Sequence, residues 1–123
     1  MFAGWPAANN GLWCWNGNPP ALTRLRDGRL CCVFGDRANC RIVATYSADE
    51  GVSWGNDTVL RSDFQRDAFD DPDLGYPRVC QRADGQMIAI YYWATRDMPH
   101  RHIAATIWRV ETDAAATEVH RGG

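Results

Sequence analysis

The 123-residue chain predicts an all-β protein made of two antiparallel sheets, and three observations carry that expectation. An Asp-Gly turn at Asp27-Gly28 recurs 57 positions later as Asp84-Gly85. Each copy lies inside the same succession of strand, tight hairpin, strand, longer loop and strand, with apolar and β-branched runs of strand length. Between the copies, Ser47-Ala48-Asp49-Glu50-Gly51-Val52-Ser53-Trp54 has the composition of a tight turn joining two antiparallel strands.

The elements follow in order. Leu22-Thr23-Arg24-Leu25-Arg26 leads into Asp27-Gly28, where glycine supplies the positive φ of a hairpin turn, and Arg29-Leu30-Cys31-Cys32-Val33-Phe34 returns. After a loop, Arg41-Ile42-Val43-Ala44-Thr45-Tyr46 forms the third strand. In the next turn Ser47 and Asp49 accept hydrogen bonds from turn N–H groups, Gly51 takes a positive φ and Trp54 returns into the core as an anchor. Thr58-Val59-Leu60-Arg61 then completes a four-stranded sheet.

The second copy runs from Tyr76-Pro77-Arg78-Val79-Cys80-Gln81-Arg82 through Asp84-Gly85 to Gln86-Met87-Ile88-Ala89-Ile90-Tyr91-Tyr92-Trp93 and His102-Ile103-Ala104-Ala105-Thr106-Ile107-Trp108. Ile42-Val43-Ala44-Thr45 is echoed by Ile103-Ala104-Ala105-Thr106, as repeat architectures require. No fourth strand is evident after it, so the second sheet is expected to be incomplete. The single domain, 1–123, therefore divides into an irregular Trp-rich lead-in (1–20), a first sheet (21–62), an acidic linker (63–75), a second sheet (76–109) and a tail (110–123). In the lead-in, Asn-Gly and Pro-Pro leave room for one short strand at Leu12-Trp13-Cys14-Trp15. Trp5, Trp13 and Trp15 would cap a sheet face, line a sugar-binding surface or fill a core, the last being the commonest role of tryptophan.

Composition excludes several classes. A net charge of −2 argues against a nucleic-acid partner, although all 13 basic residues are arginine. Arginine suits bidentate recognition of carboxylates. No window has the length and apolarity of a membrane span, and the first residues lack the basic and apolar regions of a signal peptide. The five cysteines, Cys14, Cys31, Cys32, Cys40 and Cys80, form no C-x-x-C pair and are odd in number. They read as reduced thiols packed as small core residues, with Cys31 and Cys32 on opposite faces of one strand. Reduced thiols favour a reducing compartment such as the cytoplasm, and localisation is otherwise open.

Weaker signals are read conservatively. His100-Arg101-His102 has no third ligand nearby, and Asp67, Asp70, Asp71 and Asp73 lack the spacing of a calcium loop, so neither a metal nor a cofactor is expected. Tyr91, Tyr92 and Trp93 place aromatic rings on both faces of a strand, one feeding the core and the other a stacking surface. Arg24, Arg26 and Arg29 around the first hairpin mark a solvated edge that resists strand pairing.

The residues Ser47, Asp49, Gly51 and Trp54 spell S-x-D-x-G-x-x-W, which resembles the Asp-box, or BNR repeat, of sialidases and other β-propeller proteins. Asp73-Leu74-Gly75-Tyr76 and the strands that follow it resemble the C-terminal blade of that family, so the likeness covers about residues 22 to 109. The resemblance implies two propeller-type blades. It also implies a structural role for the Asp-box, a nucleophile-like position for Tyr76 with Asp73 beside it, and carboxylate-binding arginines at Arg37, Arg41 and Arg78. A neutral phenol attacks an anionic sugar without charge repulsion when a carboxylate takes its proton. Pro77 departs from the family's serine, and the family's earlier blades, with their acid/base groups, have no counterpart in these residues.

A blade takes roughly 40 to 50 residues and closed rings use about 4 to 8, so this chain holds about two. The expected function is therefore a carbohydrate-associated module for an anionic sugar, without full catalytic machinery of its own. The alternatives are a self-assembling structural protein with no ligand, and a sialidase-type glycoside hydrolase completed by oligomerisation. A homo-oligomer is expected in any case, and a trimer would close a six-bladed ring.

Overall fold

The computed structural model describes residues 19–66 and 72–111. The expected strand at Leu12–Trp15, the tail beyond residue 111, and Asp67, Asp70 and Asp71 of the acidic linker lie outside the described residues. The first sheet contains β1 (Ala21–Arg24), β2 (Leu30–Asp36), β3 (Arg41–Ser47) and β4 (Thr58–Arg61). The second contains β5 (Gly75–Gln81), β6 (Met87–Trp93) and β7 (His102–Trp108). Within each sheet every strand pairs antiparallel with its neighbour in sequence, so both sheets are meanders. The all-β expectation holds, and the second sheet has three strands among the described residues.

The repeat extends to single hydrogen bonds. In the first hairpin the Leu25 amide donates to the Arg29 carbonyl at 2.7 Å and the Gly28 amide to the Leu25 carbonyl at 2.9 Å. In the second, the Arg82 amide donates to the Gln86 carbonyl at 2.7 Å and the Gly85 amide to the Arg82 carbonyl at 3.0 Å. Gly28 and Gly85 occupy positive φ, 97° and 89°, and Asp27 and Asp84 each accept from the amide two residues on, at 3.0 Å. This is a three-residue hairpin loop closed by a left-handed glycine. Arg26 stays exposed, as its composition suggested, and is also bonded across to the second hairpin. Its amide donates to Gln81 Oε1 at 2.9 Å and its guanidinium to the carbonyls of Arg82 and Ala83, so it clamps one hairpin to the other. Arg24 likewise makes a bidentate pair with Glu50 at 2.8 and 2.9 Å.

The turn after β3 is tied as its residue types require. Ser47 is buried; its hydroxyl donates to Asp49 Oδ1 at 2.8 Å and accepts from the Gly51 amide at 2.8 Å. Asp49 accepts from the Ser53 amide at 2.8 Å and the Ser53 hydroxyl at 2.5 Å. Glu50 and Gly51 have φ of 60° and 87°, the sign pattern of a type I′ turn. Trp54 donates to the Gly51 carbonyl at 3.1 Å and packs on Cys32, Phe34 and Val43.

The main core lies between the sheets. Cys31, Val33, Ile42 and Ala44 of the first sheet meet Met87, Ala89, Tyr91 and Trp93 of the second, with Leu25 and Leu74 at the margins. Trp93 is wholly buried, edge-on to Phe64 and Tyr91 at 5.1 and 5.6 Å, and its indole N–H donates to Asp63 at 2.9 Å. Trp108 donates across the sheets to the Tyr46 hydroxyl at 2.7 Å. Cys31 and Cys32 do point to opposite faces, and burial pushes both thiols up to about 12. Cys80 differs from the expectation: an outward position on β5 leaves it exposed.

The sheets approach backbone to backbone at Gly35 and Gly75. A Cβ on Gly35 would lie 3.1 Å from Gly75 Cα and 3.0 Å from Leu74 Cδ1. We expect Gly35→Ala to destabilise the fold by about 1–3 kcal/mol, read as a lower urea midpoint. A second expectation concerns acid. Hydrogen bonds from Ser53, then Ser47, hold the Asp49 carboxyl down to about 2 from 3.8. Because the folded value is the lower one, the contribution of Asp49 is complete above about pH 4 and is lost as the pH falls toward about 2. The urea midpoint should therefore drop less over that window in Asp49→Asn than in the natural chain; equal drops would refute the assignment.

Candidate functional site

The contact at Gly35 and Gly75 places the end of β2 and the turn after it against the start of β5. Gly75 pairs with Tyr92 and Arg78 with Ile90, so β5 carries one extra residue, a bulge at Tyr76-Pro77. Pro77 has no N–H to give to the ladder, and the bulge accommodates it. Gly75 has φ 114° and Tyr76 φ 51°, a left-handed conformation that a tyrosine enters only at a cost. The residue before a proline normally favours extended backbone, which adds to the constraint. The bulge aims Tyr76 outward, and the residue is 54% exposed.

Two groups lie against its ring, and a charged pair stands behind one of them. Tyr92 stacks on it with centroids 5.4 Å apart and planes inclined by 23°. The Arg37 guanidinium carbon lies 5.6 Å from the ring centre, and Arg37 Nε donates to the Leu74 carbonyl at 3.2 Å. The Tyr92 hydroxyl donates to Asp73 Oδ1 at 2.9 Å, while Arg101 Nε lies 3.4 Å from Asp73 Oδ2. Burial, with the Asp73 carboxylate accepting its proton, raises Tyr92 to about 12, so this phenol is neutral at ordinary pH.

The structure brings together Tyr76, Asp73 and Arg37 of the expected residues. Arg41 opens β3 on the far side of the short 3-10 turn Arg37–Asn39; its guanidinium sits 2.7 Å from buried Asp36 and 3.9 Å from Asp57. Arg78 projects from the same exposed face as Tyr76, two residues along β5, beside Ile88 and Ile90. Ser47, Asp49, Gly51 and Trp54 build their turn away from these groups. Two residues were not singled out as site members. Tyr92 was readable as the outward member of Tyr91-Tyr92-Trp93, whereas Arg101, in the loop between β6 and β7, carried no local signal. Among the described residues no group of three or more His, Cys, Asp or Glu is placed to hold a metal ion, and no helix is long and apolar enough to cross a membrane.

The strain at Tyr76 has a measurable signature. Tyr76→Ala and Tyr76→Gly both remove the ring, but only glycine relieves the backbone. Tyr76→Gly should be the more stable of the two by about 1 kcal/mol, the reverse of the ordinary order in a strand. Chemical denaturation of the pair decides it, and an alanine variant as stable as the glycine one would show the backbone to be unstrained.

No family model matches the chain, and no curated protein does. Among solved structures it is similar to the crystal structure of a protein of unknown function from Dyadobacter fermentans DSM 18053, with 28% identity and a TM-score of 0.65 over 77% of this chain. The matched stretch is 25% of that protein, so this chain spans about a quarter of the length of the structure it resembles.

Proposed function

We propose that the chain is a carbohydrate-associated module that binds an anionic sugar at Tyr76, Arg37 and Arg101 and does not hydrolyse it unaided. The observation that carries this reading is a solvent-exposed tyrosine, held in a left-handed bulge, with a guanidinium over its ring. Local strain is concentrated at ligand clamps more often than elsewhere. An aromatic ring beside arginine suits a sugar that carries a carboxylate, since the ring packs on C–H groups while the guanidinium meets the charge. The likeness of the Asp-box and of Gly75-Tyr76 to sialidase blades points to the same ligand class.

Turnover is a different matter. A phenol nucleophile needs a carboxylate to take its proton. Asp73 accepts from Tyr92 and faces Arg101, and among the described residues no carboxylate is hydrogen-bonded to Tyr76. Arg78 and Arg41 are placed less directly, the first along the open face and the second on Asp36.

The test is thermal denaturation with N-acetylneuraminic acid, glucuronic acid and galactose. An acidic sugar at ten times its Kd should add about 1.4 kcal/mol of stability, and galactose none. Arg37→Ala and Tyr76→Ala should reduce the effect. No shift with either acid, or a shift unchanged in both variants, overturns the proposal. A fluorogenic sialoside should be released no faster with the chain than in buffer, and measurable turnover would favour the hydrolase reading instead.

A further inference from the structure

The repeat shows that one face of the second sheet has the design of a buried surface. In the first sheet the cross-strand pairs Cys31–Tyr46, Val33–Ala44 and Gly35–Ile42 lie side by side and are covered by the second sheet. The corresponding pairs of the second sheet, in the same register, are Ile88–Ile107, Ile90–Ala105 and Tyr92–Ile103. The first set includes Cys31, Val33, Ile42 and Ala44 at 0% exposure; in the second, Ile90, Ile107 and Ile103 stand 43%, 50% and 73% exposed. Isoleucine dominates where solvent-facing strands ordinarily carry charge, and Arg78 is the one charged side chain that the described strands place on this face.

We propose that this face is the contact surface of a homodimer, in which the outer face of the second sheet packs on the same face of a second copy. The opposite face of the first sheet, which a head-to-tail ring would use, already carries Cys32, Phe34 and Val43 at 0–6% exposure with Trp54 packed on them. The exposed face is therefore the apolar sheet surface that another copy has to offer, and identical patches meeting about a twofold axis close the assembly at two. Three strands about 4.8 Å apart and seven residues long give a footprint of roughly 340 Å². With side-chain relief counted on both copies, the buried area is on the order of 1,000 Å², the lower bound for a specific interface. Face-to-face packing of aligned sheets supplies the geometry.

Size-exclusion chromatography with light scattering, from micromolar to about 100 μM chain, tests this directly. The natural chain should approach twice the 13.8 kDa of one copy. Ile90→Arg and Ile107→Arg, exposed and away from Tyr76, should remain monomeric with an unchanged thermal midpoint at low concentration. Alkylation of Cys80, followed by peptide mass, should slow as the natural chain is concentrated; this readout needs no variant. A monomer throughout, a mass of three copies, or a dimer indifferent to both substitutions overturns the proposal. In the monomer case the face would be left for a further sheet of a longer chain. Sugar binding is measured separately, at low concentration, so failure of either proposal is distinguishable from failure of the other.

Discussion

The close approach of Gly35 to Gly75 is the constraint on which the remaining geometry depends. Two sheets normally sit about 10 Å apart, and here the missing Cβ of one residue lets backbone meet backbone at the edge of that gap. The contact brings the Leu74 carbonyl within reach of Arg37 and sets Asp73 opposite Tyr92. It also forces β5 to begin on a tight, bulged path. A side chain at position 35 would separate the sheets at the point where the candidate site is assembled.

Away from that contact the sheets are joined by polar groups at the rim of an apolar core. Trp93 and Trp108 each bury an aromatic body and hand their N–H to a partner, Asp63 in one case and Tyr46 in the other. Arg61 pairs with Asp63 at 2.7 Å and lies 5.4 Å from the centre of the Trp93 ring, so the loop after β4 is pinned to the second sheet. Arg26 performs the equivalent task between the hairpins. These bonds add direction to a core whose burial alone would tolerate sliding, because buried donors left unpaired are costly.

The two units share a hydrogen-bonding plan but not an environment. In the first sheet both faces of β2 are buried; in the second, the outward face of β6 is apolar and partly open. The candidate site lies at one end of that open face, where Tyr92 and Tyr76 stack, and the isoleucines continue from it. The two uses meet at Tyr92, which stacks on Tyr76 and pairs with Ile103 on the same face.

Local signals determined much of this protein. Glycine at positive φ, aspartate beside it and alternating apolar residues define hairpins within a few residues, and the described strands and the tight turn after β3 were legible in that way. Tyr91-Tyr92-Trp93 also showed an inward and an outward face. What the chain alone did not disclose depends on residues far apart in sequence. Arg37 reaches Tyr76 only because the sheets pack, Arg101 meets Asp73 from a different loop of the second unit, Arg41 is drawn to Asp36 instead, and Arg26, still exposed, binds carbonyls some 56 positions away. Only the register between β5 and β6 reveals the bulge that turns Tyr76 outward. Turn chemistry is written over four or five residues, whereas charge pairing and close backbone approach are fixed by packing between sheets, which no local window contains.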